Sequence, residues 1–346
     1  MRRKGLLLAG VLALALATAA LCGGCYFHLG SIELGRTDEE IQRDDYLDSL
    51  HDAAAAEGQM LVWISNDEDE LFRLCKNFVD EEKLQLSYKV IAPEEALAEL
   101  TANPGQPPVD LWLGVDLATL AQLRDEGYLG DYDAYLSDNL LSDRFREAGG
   151  GWYGAYLYPV GIMADRKALR RANLPLPQEW QDLLDPVYAG AVALPNPESN
   201  GGRTLLATLA LLMGEAEAQA YLDGLAANGA VYTKGEATPS NLIASGEAMI
   251  AVGDLSGGVQ HILNGDALEL IVPESGSGGR LATVALLKDC AHPQFAARFI
   301  EFTLQGEWFS QLAAGNHYPL AVTAPAEQPY DEEETQLDFT RFTALY

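Results

Sequence analysis

With 346 residues, 48% of them hydrophobic and 21% charged, the chain is long enough for two lobes of ordinary size and apolar enough for packed cores, which excludes wholesale disorder. Its formal net charge at pH 7 is −29, and −32 once the three leader cations Arg2, Arg3 and Lys4 are taken away. A surface that acidic repels nucleic acid and anionic lipid headgroups, so nucleic-acid binding is set aside; the charge serves solubility, with a weak pull on cationic solutes.

The amino terminus reads as an export signal. Met1–Lys4 is basic, residues 5–21 are almost wholly apolar, and Gly23 and Gly24 precede Cys25. Cys25 at the cut resembles the bacterial lipobox, which implies lipidation of that residue, although Cys22 stands where the motif has an aliphatic side chain. An uncleaved signal anchor is the rival, because the apolar run nearly reaches spanning length. Either way residues 1–24 form the leader and the folded part stays tethered outside the cytoplasm. Residues 25–58 read as a polar tether solvated by Asp38, Glu39, Glu40, Asp44 and Asp45. The Cys22–Cys25 spacing lacks the following helix of a redox motif. Cys75 and Cys290 lie in apolar, helix-like surroundings and read as buried thiols; export allows a disulfide between them without establishing one.

Met60–Ile64 is the first strand. Ser65 and Glu68 form a capping box for a helix carrying Leu71, Phe72, Cys75, Phe78 and Val79. A strand at Leu84–Val90, a helix at Pro93–Leu100, a strand at Val109–Gly114 and a helix from Leu117 to Glu126 follow. This alternation predicts a parallel sheet covered on both faces, with ligands at the carboxyl ends of its strands. Ser65, Asn66 and the turn from Gly114 to Asp116 then share one rim.

An aromatic stretch from Trp152 to Tyr158 leads through a strand at Val160–Ala164 into a second lobe. There the pattern predicts a short helix at Trp180–Leu184, a strand at Val192–Leu194, a loop over Asn196–Gly202 and a helix from Arg203 to Met213. Strands at Val231–Thr233 and Ala248–Val252 flank a helix at Ser240–Ser245. Leu268–Val272 returns toward the first lobe, through a glycine-rich loop at Ser275–Gly279, to a strand at Leu281–Leu287 and a helix at Phe295–Leu304. The acidic run Asp331–Glu334 reads as exposed.

Several of these stretches, taken in order, resemble the periplasmic-binding-protein type 2 fold, in the group of ferric-iron, phosphonate and sugar-phosphate binders. They are Val109–Gly114, Gln178–Gly190, Leu194–Thr204, Val231–Lys234, Ile243–Glu247, Val272–Gly276 and the closing helix, so the resemblance runs from about Met60 to about Ala314. It implies an α/β protein of two lobes, each a mixed, mainly parallel sheet flanked by helices. Residues 59–155 with 270–346 would make one lobe and 156–269 the other, with the ligand in the cleft and hinge closure upon it. It implies the extracytoplasmic solute-binding component of an ABC importer, a monomer serving an ABC permease and its ATPase. An exported enzyme or a sensory module on the same fold is the alternative. No H-E-x-x-H, G-x-S-x-G or P-loop pattern occurs, and the five histidines show no metal-ligand spacing, so no catalytic residue and no resident cofactor are expected.

Within the cleft the loop at 196–204 is the most informative segment. Ser199, Asn200, Gly201 and Gly202 offer hydroxyl, amide and backbone N–H groups just before a helix, with Arg203 and Thr204 beside them and no acid in that turn. Such a turn suits a phosphate, phosphonate or carboxylate; plain capping by Ser199 or Asn200 needs no ligand, and the resemblance favours the ligand. Asp67–Glu70 instead fill the first turn of the first helix with negative charge. Tyr232 resembles the position where ferric binders carry adjacent tyrosines, but Val231 is its neighbour; Tyr156 and Tyr158 could contribute, although aromatic residues at a lobe crossing more often serve packing. Ferric iron, as cargo held by Tyr232, therefore ranks behind a phosphorylated or phosphonate-type anion. Asp254 ends a strand facing the cleft and either binds an amine, as in an aminoalkyl phosphonate, or caps the next turn.

Overall fold

In the computed structural model, which describes residues 37–65, 69–235, 238–315, 319–324 and 342–344, strand β1 (Gln59–Ile64) shows how the pattern builds a two-faced sheet. Met60, Val62 and Ile64 enter one apolar cluster and Trp63 enters another on the opposite face, as the two-residue period of a strand requires. β1 pairs in parallel with β2 (Gln85–Val90) and with β3 (Leu111–Leu113). β3 runs antiparallel to β9 (Ser277–Leu286), and β9 antiparallel to the first half of β4 (Trp152–Asp165). Two short strands complete this sheet, β10 (Leu320–Ala321) on β4 and β11 (Phe342–Ala344) on β9.

β4 is the hinge of the topology. From Trp152 to Pro159 it pairs with β9; from Val160 to Asp165 it pairs with β7 (Ile250–Asp254) and β8 (Leu268–Ile271) of a second sheet. That sheet continues in parallel through β5 (Val192–Leu194) to β6 (Val231–Tyr232). Among the described strands every antiparallel pair involves β4 or β9, while β1, β2 and β3, and β5, β6 and β7, pair in parallel. A strand that crosses out and a strand that crosses back must run against each other, which is why the antiparallel pairs gather there. The fold is thus α/β, with helices on both sheets.

The helices are placed by their apolar faces. α2 (Asp69–Glu82) packs Leu71, Leu74, Cys75 and Phe78 on the first sheet with Phe295, Phe299 and Phe302 of α10 (Pro293–Gln305). Phe78 meets Phe299 with ring centroids 4.9 Å apart. α3 (Pro93–Ala102) and α4 (Leu117–Asp125) cover the other face. In the second sheet Trp180, Leu205, Leu209, Tyr221 and Leu225 close over Val160, Ile162, Val192 and Leu194. Leu205 and Leu209 come from α6 (Asn200–Met213), Tyr221 and Leu225 from α7 (Glu215–Ala227). α5 (Arg166–Ala172) joins that layer through Leu169, while α8 (Ser240–Ala244) and α9 (Ser256–Leu263) carry Ile243 and Val259 to the other face, against Met163, Ala193 and Ala251.

Four local expectations change. The chain divides into units 1–44 and 45–346, and the acidic stretch expected as a tether forms helix α1 (Asp38–Glu57) across that boundary. Thr37 and Glu40 exchange N–H and side-chain bonds in a capping box at its start. Farther along, Leu47, Leu50 and Ala54 are buried, spaced three and four residues apart within a polar sequence. α6 begins at Asn200, three residues before its expected start, because Ser199 is its N-cap. The helix α7 was not anticipated; its alanine-rich sequence lacks a strong apolar stripe. The glycine-rich loop at 275–279 is shorter than expected, because Ser277, Gly278 and Gly279 already belong to β9. Cys75 and Cys290 are both free thiols, and burial pushes each up to about 12, so they stay protonated and inert. Cys22, Cys25, Asn66, Glu68 and Asp331–Glu334 lie outside the described residues. Among the described residues no helix is long and apolar enough to cross a membrane.

Candidate functional site

The carboxyl ends of β5 and β7 and the two crossing strands enclose a cleft of about 190 Å³. Its walls are Tyr158 and Val160 of β4, the start of α6 from Ser199 to Thr204, Thr238 and Pro239, Gly253 and Asp254 at the end of β7, and Arg280 of β9.

The wall at α6 is shaped by backbone. Ser199 donates its hydroxyl to the Asn196 carbonyl (2.6 Å) and accepts from the Gly202 N–H (3.0 Å), which closes the loop onto the helix. Gly202 is buried against that loop; a Cβ there would stand 2.1 Å from the Asn196 carbonyl oxygen. Arg203 turns back onto the loop, donating to Glu198 O (2.6 Å) and Asn200 Oδ1 (2.5 Å), and Thr204 donates to Asn200 O (2.9 Å). The first turn carries no acid, so its aligned amides present positive potential toward the cleft. The capping role of Ser199 is therefore realised, and the same cap holds the turn open to a ligand.

The charged wall comes from the crossing strands. The Arg280 guanidinium lies 4.6 Å from the centroid of the Tyr158 ring, a cation–π contact in which the phenol face steadies the charge. Burial draws Arg280 down to about 10, still cationic at neutral pH. The Tyr158 phenol is pushed up by burial, by the charge of Glu70 and by a hydrogen bond to it, so it remains a neutral phenol. Asp254 is pushed up from 3.8 to about 6 by desolvation, opposed by hydrogen bonds from Ser256 and reinforced by Glu70. Its Oδ1 accepts from the Ser256 N–H (2.9 Å), the capping role weighed for it.

Of the residues singled out in the sequence, Ser199, Asn200, Gly201, Thr204 and Asp254 come together in this cleft. The others are placed elsewhere. Ser65 is buried, its hydroxyl donating to Ile91 O (2.9 Å) and accepting from Trp112 Nε1 (2.8 Å). Asp116 is the exposed N-cap of α4, bonded to the Thr119 amide (2.9 Å) and hydroxyl (2.7 Å). Tyr156 is fully buried against Tyr158 and Trp308. Tyr232 lines a separate groove with Leu206, Leu222 and Asp223. Arg280 is the residue sequence reasoning passed over. The signal was there: it is the one cation between Leu268 and Leu287, set after Gly278 and Gly279 in an otherwise uncharged strand.

Known proteins place this geometry in context. Residues 106–343 match the family described as bacterial extracellular solute-binding protein. An uncharacterized protein of Haemophilus influenzae is 30% identical over 306 residues, covering 84% of this chain and 88% of that one. The Iron uptake protein A1 of Synechocystis is 22% identical over 245 residues, 67% of each chain. The periplasmic binding protein AfuA of Actinobacillus pleuropneumoniae, solved with exogenous fructose-6-phosphate bound, superposes with a TM-score of 0.61 at 25% identity, over 83% of this chain and 91% of that one.

Proposed function

Because the chain belongs to the family of bacterial extracellular solute-binding proteins, we propose that it captures a phosphorylated or phosphonate-type organic anion in the cleft at α6 and delivers it to an ABC permease with its ATPase. It is a binding protein rather than an enzyme, and it works outside the cytoplasm. The observation that carries the reading is the meeting of Arg280 with the acid-free first turn of α6 in one cleft. A guanidinium and aligned N–H groups are both suited to a phosphoryl group, the one as a bidentate cation and the other as a set of converging donors. The sugar phosphate bound by AfuA supports the same class.

Ferric iron ranks second, supported by the name of the Synechocystis relative. Tyr232, the phenol the sequence offered for it, faces a different groove, which counts against it. The two sheets act as lobes, pivoting where β4 changes partners at Pro159 and Val160 and where β8 passes to β9, a few residues beyond the boundaries at 156 and 270 expected from the sequence. The protein acts as a monomer held at the membrane through lipid on Cys25; labelling with radioactive palmitate that survives Cys25→Ala would remove that last part.

The test is thermal. At a ligand concentration of about 100 Kd, mass action adds ~2.7 kcal/mol to stability, a rise of roughly 5 °C for a protein of this size. Alkylphosphonates, sugar phosphates and ferric citrate are screened on the full-length chain. Arg280→Ala is expected to abolish the shift, and Ser199→Ala with Thr204→Ala to reduce it through the displaced turn. An undiminished shift in Arg280→Ala defeats the assignment.

A further inference from the structure

We propose a second binding surface, at the end of the second sheet away from the cleft, where the basic helix α5 and the cavity beside it take an acidic peptide segment of a partner protein. The surface is independent of the cleft. β7 runs from Ile250, opposite Ala164 of β4, to Asp254, opposite Val160; the cleft lies at the Asp254 end and α5 follows β4 at the other.

The helix is the first observation. α5 places Arg166, Lys167, Arg170 and Arg171 within seven residues and no acid among them, in a chain of 22 lysines and arginines against 51 acids. All four are exposed. Helix stability does not ask for this arrangement. Arg170 and Arg171 suit the last turn, but Arg166 and Lys167 stand at the end where the helix dipole is already positive. Arg166 with Arg170, and Lys167 with Arg171, are like charges four residues apart, which is unfavourable in a helix. Glu269 neutralises Arg166, its Oε2 accepting from Nε (2.5 Å). Lys167, Arg170 and Arg171 make no ion pair with any described residue. An acidic partner relieves their repulsion.

The second observation is a cavity of about 200 Å³ beside the helix, close to the cleft in size. Lys167 and Arg171 line it from α5, His261 from α9 and Ile243 from α8, with Asp266 and Leu268. Its acids are engaged locally: Asp165 Oδ1 caps α5 through the Ala168 N–H (2.9 Å), and Asp266 Oδ2 lies 3.0 Å from His261 Nδ1. The charge left unpaired at the cavity is therefore cationic. A concave, partly apolar site flanked by cations fits a peptide that inserts one apolar side chain and lays its carboxylates along the helix. A flat layer of anionic headgroups cannot enter the cavity, and it would also face the wider surface of a chain with net charge −29. A short acidic segment meets α5 alone, because at physiological salt charges act over only about 8 Å.

The probes are a fluorescein-labelled peptide of glutamates flanking a central leucine and its counterpart with glutamines, read by fluorescence anisotropy on the full-length chain at low salt. The acidic peptide is expected to bind at least about tenfold more tightly than the neutral one, and about 0.5 M salt to erase the difference. Lys167→Gln with Arg171→Gln should weaken the acidic peptide at least about tenfold. Ala244→Trp, at an exposed position lining the cavity, fills the cavity while keeping every cation and should weaken it as much. Circular dichroism checks that both variants stay folded, and the double glutamine variant, altered only on the exposed face of α5, carries the test if the tryptophan does not. Equal binding of the two peptides, binding of neither, or undiminished binding in the double variant overturns the surface. Undiminished binding in a folded Ala244→Trp overturns it in favour of diffuse attraction by charge. Displacement of the peptide by an equal concentration of inorganic phosphate overturns it in favour of a free anion. Co-sedimentation with phosphatidylglycerol vesicles that the double variant loses, without capture of the peptide, overturns it in favour of a membrane surface.

Discussion

Gly202 and Gly201 are neighbours in the first turn of α6, yet the structure assigns opposite outcomes to the same change. At Gly202 a Cβ would meet the Asn196 carbonyl oxygen at 2.1 Å, Pro197 Cα at 2.7 Å and Asn196 C at 2.8 Å. All three are backbone atoms of the loop that shapes the cleft, so no side chain can swing aside. The loop must move by about 1 Å or more to restore ordinary contact, and overpacking of that kind costs about 1–3 kcal/mol. The movement also breaks the Ser199 cap on Gly202, worth ~1 kcal/mol. Gly202→Ala should therefore lose about 2–4 kcal/mol, a fall in Tm of roughly 4–8 °C at this chain length, with a loss of anion affinity of at least about tenfold. At Gly201 the nearest atoms are Pro195 Cβ at 3.5 Å and Ser199 Oγ at 3.8 Å, which is ordinary contact. Gly201→Ala should gain ~0.5 kcal/mol from the reduced entropy of the unfolded chain while placing a methyl in the cleft. Scanning calorimetry of both variants, followed by titration with ethylphosphonate, reads the contrast. Wild-type stability in Gly202→Ala, or a larger loss in Gly201→Ala, would show that the loop and turn are not packed as described.

Asp254 makes stability depend on pH in an unusual direction. Its carboxyl is raised from 3.8 to about 6, so the native state holds the proton more tightly than the unfolded chain. The contribution is fully favourable below about 3.8 and is lost as pH rises through about 6, a span worth about 3 kcal/mol. Asp254→Asn keeps an acceptor for the Ser256 N–H and should exceed the parent in urea stability at pH 8, with the margin closing toward pH 4. A margin independent of pH would contradict the burial of that charge. Glu57, at the end of α1, accepts from the Gln294 N–H (3.1 Å) and the Phe295 N–H (2.8 Å) and so caps α10 from outside. Glu57→Ala should cost about 1–2 kcal/mol in urea denaturation, and Glu57→Gln less; equal losses in the two would point to lost charge rather than lost capping.

The strands and their order were legible because their signals are local. Met60 to Ile64, Val192 to Leu194 and the apolar run through Leu286 are short runs stopped by polar residues, glycine or proline within a residue or two, and they survive into the sheets. The helix α1 was hidden because only Leu47, Leu50 and Ala54 of its twenty residues are buried, too few to stand out in an acidic stretch. The α6 turn was legible as chemistry, since Ser199 followed by two glycines is both a cap and an opening, even though the helix start was misplaced. Arg280 was not, because its meaning depends on β9 crossing beside β4, a pairing between residues more than a hundred positions apart. Tyr156 and Tyr158 were inseparable for a related reason. Both rings lie together, 5.6 Å apart, and only the point at which β4 leaves the first sheet decides which of them meets the cleft.

That crossing also bears on how cargo would drive closure. The returning segment is pinned to the second sheet: Glu179 accepts from the Glu274 N–H (2.9 Å) and the Ser275 hydroxyl (2.6 Å), and Trp180 Nε1 donates to Gly276 O (3.0 Å). Ser277 then donates to Val160 O (2.5 Å), joining the two crossing strands. What is left to pivot is short, about Tyr158 to Val160 on one strand and Ser277 to Arg280 on the other. Arg280 and Tyr158 sit on the pivot itself, while Ser199, Thr204 and Asp254 ride with the second sheet. Contacts to all of these exist whether the lobes are apart or together, and contacts common to two states move no equilibrium. Closure must therefore draw on groups carried by the first sheet, such as Glu70 of α2, whose charge already reaches Tyr158 and Asp254 at the cleft.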